Sequence, residues 1–114
     1  MIVKSGQYRE EQRVIADGKG KIILHHKFER EQLFGKSRLV AEITIRPGDS
    51  IGMHPHDPDA EIYYMLEGAL TSIGHDGSEE PFLPGDAMLT GGGDSHSVRN
   101  DTEKDAKMFA IVIL

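Results

Sequence analysis

No stretch of this 114-residue chain sustains a 3.6-residue apolar repeat of any length, and glycine or proline interrupts it about every eight to twelve residues. Between the interruptions the pattern has a period of two. Ile22, Leu24, His26 and Phe28 fall on one face of KIILHHKF, and Leu39, Ala41, Ile43 and Ile45 on one face of SRLVAEITIRPG. In EIYYMLEG, Glu61, Tyr63 and Met65 share a face while Ile62, Tyr64 and Leu66 take the other. The breaks carry turn chemistry: Asp17-Gly18-Lys19-Gly20, Arg46-Pro47-Gly48, the Asp76-Gly77 hairpin signal and Leu83-Pro84-Gly85-Asp86. An acidic EREQLFG segment joins the first two alternating runs, and a polar NDTEKD loop precedes a final core strand. The pattern predicts an all-β domain, a small antiparallel β-barrel or sandwich with no long helix.

Composition narrows the function. A formal charge of −6 with no basic stripe argues against binding nucleic acid, and nothing resembles a helix-turn-helix. The longest apolar run, MFAIVIL, is too short to span a bilayer, and MIVKSGQYREEQR lacks a signal-peptide core. The absence of cysteine removes disulfides and thiolate ligands. A cytoplasmic protein with no membrane partner is the expectation.

Chemistry concentrates in two stretches. His54 and His56 lie two apart, so an extended backbone turns both imidazoles to one face, within reach of one ion at about 2.0–2.2 Å per bond. Asp57-Pro58-Asp59 bends the chain before Glu61 opens a strand beside Tyr63 and Met65. A carboxylate on that apolar face is costly to bury unless a cation meets it. His96 heads a further run, sharing a face with Val98 and Asn100, and brings a fourth donor from a separate strand. Three nitrogens and one oxygen suit Mn, Fe, Ni, Co or Zn and leave one or two coordination positions open. The remaining histidines read differently. His25 and His26 are adjacent, point to opposite faces and cannot share an ion, which leaves surface or interface packing. His75 sits in a solvated turn. Gly91-Gly92-Gly93 has no Lys-Ser/Thr and no helix after it, so it is a turn that delivers His96 rather than a phosphate loop.

Gly48, His54, His56, Glu61 and Gly68 fit G-x5-H-x-H-x4-E-x6-G at every fixed position. Gly85, Gly93, His96 and Asn100 fit G-x5-P-x-G-x2-H-x3-N, with Gly91 in the proline position. In both motifs the chain resembles the cupin superfamily, and within it the small single-domain bacterial cupins described as oxalate-decarboxylase-like. The resemblance implies a jelly-roll (double-stranded β-helix) barrel over residues 36–114. It also implies one divalent metal, Mn or Fe favoured, on His54, His56, Glu61 and His96. Residues 1–35 are expected to supply N-terminal strands that contact a second subunit of a homodimer.

Two functions follow. In the first, a small oxygen-rich metabolite, a carboxylate, keto acid or sugar derivative, chelates the metal and is decarboxylated, oxidised or isomerised, with Tyr63 and Asn100 as candidates to orient it. In the second, the protein binds or senses such a molecule without turnover. An acid or base beside the ligand would mark the first, and a wall of Met53, Met65 and Met88 with other apolar residues would mark the second. Oxalate decarboxylases pair two cupin units and carry an acidic lid. This chain has one unit, and no lid is legible in it.

Overall fold

Each alternating run becomes a strand in the computed structural model, which describes residues 1–114. The order is β1 (Arg9–Arg13), β2 (Ile22–Phe28), a 3-10 turn (Arg30–Leu33), β3 (Leu39–Ile45), β4 (Ser50–Pro55) and β5 (Ala60–Glu67). Then come β6 (Leu70–Ile73), β7 (Glu79–Phe82), β8 (Ala87–Gly91), β9 (Ser95–Arg99) and β10 (Ala106–Ile113). The only helical piece lies in the acidic EREQLFG segment, where Gln32 Oε1 accepts from the Glu29 amide at 2.8 Å. Four residues are too few to show a helical apolar repeat in sequence.

The strands form two antiparallel sheets, one in the order β1-β2-β3-β10-β5-β8 and the other β4-β9-β6-β7. The barrel is therefore a jelly roll of two facing sheets, without one continuous ring of ladder bonds. Ile22, Leu24, Leu39, Ala41, Ile43 and Ile45 project inward from the larger sheet and meet Ile51, Leu70, Phe82 and Val98 from the smaller. Val112, Ala110 and Met108 of β10 complete the layer. The N-terminal strands are part of this layer, since β2 pairs with β3 and buries Ile22 and Leu24 beside Ile43.

The two edges of the larger sheet differ. At one, β1 reads REEQR and is polar throughout, which blunts an otherwise open strand edge. Towards the other, an apolar row crosses the outward faces of β3, β10, β5 and β8. Val40 lies opposite Ile111, Ile111 opposite Ile62, and Ile62 opposite Leu89, which is 73% exposed. Phe109 and Tyr64 lie beside that row.

A loop running from Ile15 to Gly20 fastens the end of β1 onto β4. The Ile15 carbonyl accepts from Gly18 N at 2.9 Å and Gly52 N at 3.1 Å, and the Lys19 carbonyl accepts from Ser50 N at 2.8 Å. The contact is close enough that a Cβ on Gly52 would collide with the Ala16 carbonyl oxygen. It also fixes the backbone two residues before His54.

Candidate metal centre

The two sheets bring the four predicted donors together between them. His54 lies on β4 opposite His96 on β9, and Glu61 projects inward from β5 of the facing sheet. His56 follows β4, where its amide donates to the Asp94 carbonyl (3.0 Å) and its carbonyl accepts from Gly93 N (2.9 Å). The glycine turn thus delivers His96 and clasps His56 as well. Gly91 is tightly placed, since a Cβ there would lie 2.9 Å from the Ala60 side chain.

Each imidazole is oriented from behind. His54 donates from Nδ1 to the Gly52 carbonyl at 2.7 Å, and His56 donates from Nδ1 to Asp59 Oδ1 at 3.0 Å. A carbonyl and a carboxylate only accept, so both protons sit on Nδ1 and both Nε2 lone pairs face inward. His96 Nδ1 is engaged by Thr90 Oγ1 at 2.8 Å, and the Tyr63 ring stacks on His96 with centroids 4.8 Å apart. The inward atoms crowd together. Nε2 of His54 and of His96 are 3.0 Å apart, and Glu61 Oε1 is 3.0 Å from His56 Nε2, 3.0 Å from His96 Nε2 and 3.9 Å from His54 Nε2. His56 Nε2 and Glu61 Oε1 are buried with no hydrogen-bond partner.

These atoms fit a divalent cation. Donors held about 2.1 Å from one ion lie about 3.0 Å apart along an octahedral edge and about 3.4 Å apart in a tetrahedron. Three separations of 3.0 Å therefore match corners of an octahedron, with two positions left over. The protonation states of Glu61 and His96 favour ligation, while that of His54 opposes it until a cation displaces its proton. Burial acts to raise the Glu61 carboxyl, but His54 and His96 outweigh it and hold it down at about 2. Burial lowers His96 and favours its neutral, ligating form. His54 is raised by the Glu61 carboxylate, against burial and the Arg38 charge.

A cavity of about 140 Å³ opens onto His54, His56 and Glu61. Its remaining wall is Ile15, Leu24, Leu39, Ile43, Ile51 and Tyr63, with Arg13 and Arg38 as the charged groups. The methionine wall considered from sequence is not what forms, because Met53 is exposed and Met65 lies in the core. Arg38 donates to Asp59 Oδ2 at 2.9 Å, so an unbroken path runs from Arg38 through Asp59 to His56. Burial opposes ionisation of Asp59, yet Arg38 and His56 hold its pKa below the ordinary value.

Of the other candidates, Tyr63 reaches the cavity, but burial, with Glu61 beside it, pushes its phenol well above the ordinary value. Asn100 is committed to the backbone. Its Nδ2 donates to the Ile45 and Lys104 carbonyls, each at 2.8 Å, and its Oδ1 accepts from Thr102 N and Oγ1. No amide proton remains to orient a ligand. His25 and His26 lie apart from the quartet against Glu10 and Glu11, and His75 accepts from Ser95 N. Arg13, Arg38, Asp59 and Thr90 do not stand out in the sequence. Asp59 is within reach of it, three residues beyond His56, whereas the arginines depend on which strands become neighbours.

Residues 41–112 match the family model for the cupin domain. This chain belongs to the cupin family. The oxalate-binding protein of Thermotoga maritima is 35% identical over 116 residues, covering 100% of this cupin and 94% of that protein. A Thermotoga maritima crystal structure described as a predicted oxalate decarboxylase superposes with a TM-score of 0.93 at 34% identity, covering 100% of this chain and 99% of that one. A polyketide cyclase from Streptomyces resistomycificus shares the fold alone, with a TM-score of 0.83 at 18% identity over 99% of this chain and 78% of the cyclase. No helix is long and apolar enough to cross a membrane.

Proposed function

We propose that this cupin binds a small dicarboxylate of the oxalate class at a divalent metal, Mn²⁺ or Fe²⁺, held by His54, His56, Glu61 and His96. The observation that carries the reading is the joining of two features in one small cavity: four convergent donors, three of whose separations match octahedral edges, and two guanidinium groups on a wall that is otherwise aliphatic apart from Tyr63. When bound, the metal supplies a Lewis acid with two positions for a chelating anion. The arginines supply the charge that a dianion leaves unbalanced, and the aliphatic residues keep water from competing. The volume, about 140 Å³, is below the roughly 300–1,000 Å³ typical of larger ligands and suits a few heavy atoms. The relative named as an oxalate-binding protein points the same way.

The wall favours binding over turnover. Beyond the metal ligands it offers no carboxyl or imidazole to move a proton, and Tyr63 is held too firmly protonated to serve as an acid. Metal analysis of protein purified without chelator, followed by calorimetric titration with oxalate, tests the reading. Near-stoichiometric metal and metal-dependent oxalate binding without release of carbon dioxide or formate are expected. Absence of metal-dependent binding refutes the proposal, and stoichiometric turnover to formate replaces it with the enzymatic one.

A further inference from the structure

We infer that Arg13, on the edge strand β1, is the specificity-determining residue of this centre, supplying the cation that selects a dicarboxylate over a monocarboxylate. The inference rests on the binding function proposed above and assigns selectivity within it to one side chain.

The cavity wall holds two guanidinium groups in different situations. Arg38 is engaged, with Nε and Nη2 both directed to Asp59 Oδ2 at 3.3 and 2.9 Å. Its first effect is on His56, through Asp59. The Arg13 side chain makes no hydrogen bond within the chain, and its ion pair is the 3.4 Å approach of Nε to Glu11 Oε2. The other oxygen of that carboxylate is drawn away by His26 at 2.8 Å. Arg13 thus presents unengaged N–H groups at the mouth of a cavity that is otherwise aliphatic apart from the metal ligands, Tyr63 and Arg38. A planar fork of donors there is suited to carboxylate oxygens.

The backbone that carries the fork is held in place. β1 pairs with β2 from Arg9 to Arg13, and the loop from Ile15 is bonded to Ser50 and Gly52 of the strand that carries His54. Strand alternation puts Arg13 on the same face as Glu11, which His26 fixes from β2. His26, read from sequence as a packing residue, therefore anchors the carboxylate behind Arg13. A chelating dicarboxylate leaves two outer oxygens and a second negative charge, whereas a monocarboxylate leaves at most one outer oxygen and no second charge. Arg13 therefore acts on the first far more than on the second.

The experiment is calorimetric titration of Mn²⁺-loaded protein with oxalate and with acetate, comparing wild type, Arg13→Gln, Arg13→Lys and Arg38→Gln. Metal content and thermal midpoint are measured on the same samples. Arg13→Gln is expected to bind oxalate about ten- to hundredfold more weakly, the usual loss for a charge-assisted contact. Its acetate affinity, metal content and midpoint stay near wild type, and Arg13→Lys recovers part of the oxalate affinity. Arg38→Gln is expected to lower metal affinity as well, because it also releases Asp59. If wild type binds oxalate and Arg13→Gln binds it equally well, the assignment to Arg13 is overturned while the binding function stands. Loss of metal from Arg13→Gln also overturns it, since the residue would then act on the centre rather than the anion. If wild type binds no oxalate, both readings fall together.

Discussion

Removing the Asp59 carboxylate tests whether the metal centre is built from behind its ligands. Asp59 touches no metal-facing atom, yet it accepts from His56 Nδ1 at 3.0 Å and from Arg38 at 2.9 Å. In Asp59→Ala the His56 ring loses the acceptor that fixes its tautomer, and Arg38 is freed beside the cavity. A hydrogen bond to a charged group contributes about 1.5–3 kcal/mol. Losing the partner of a metal-bound histidine costs about 10- to 100-fold in metal affinity, or about 1.4–2.8 kcal/mol, and the two figures agree. Competition between the protein and a chromophoric chelator for Mn²⁺ or Zn²⁺ measures this directly. The expected order of affinity is wild type, then Asp59→Asn, whose amide oxygen still accepts, then Asp59→Ala, then His56→Ala with a donor removed outright. His75→Ala, in its exposed turn, is expected to match wild type. An Asp59→Ala affinity within twofold of wild type would refute the reasoning, because His56 would then be oriented without the bond on which it rests.

Three further outcomes are expected. Asn100→Ala leaves the buried carbonyl of Ile45 and that of Lys104 without their donor and unties Thr102, at a cost of about 3 kcal/mol. Thermal unfolding should fall by roughly 10–20 °C while metal content per folded protein is unchanged, and loss of metal with an unchanged midpoint would count against this structural role. Acid titration of the metal-free protein should show stability falling as pH drops below the ordinary carboxylate range. Glu11, Glu29 and Glu79 are each held below their ordinary 4.5, by His26, Arg9 and Arg99 respectively, so the unfolded chain takes up protons first and the stabilisation is lost as pH drops through the folded values. If a second copy packs on the apolar row of the larger sheet, away from residues 1–35 where the family resemblance places the dimer contact, Leu89→Lys should turn a wild-type dimer into a monomer, as read by sedimentation velocity. Wild type already monomeric at micromolar concentration would refute it.

Much of this protein is legible in its order of residues. Alternation with a period of two assigns Leu39, Ala41, Ile43 and Ile45 to the core and turns Glu61 inward beside Tyr63 and Met65, and all of them are buried. The histidine and glutamate spacings name a quartet that does converge, because side chains two apart on a strand must share a face whatever the strand packs against. Period and spacing, however, describe one strand at a time. They do not say which strands become neighbours, how far two sheets stand apart, or where a loop docks.

Those matters are decided in three dimensions, and they govern the details of the site. Thr90 reaches His96 because β8 ends beside β9, Asp59 reaches His56 because the chain reverses between them, and Asn100 turns to the backbone because β9 ends against β3. Arg13 lines the cavity mouth although 41 positions separate it from His54, since the pairing of β1 with β2 and the docking of the Ile15–Gly20 loop on Ser50 and Gly52 carry it there. The outer face of the larger sheet is similar. Val40, Ile62, Leu89 and Ile111 are scattered along the chain and become one apolar row only through the register of four strands. Local backbone geometry sets which way each side chain points, and so the candidate donor quartet can be read from sequence. The surroundings of that quartet and the outer apolar row depend on contacts between distant segments, whose positions are set by the loops and sheet packing that bring them together.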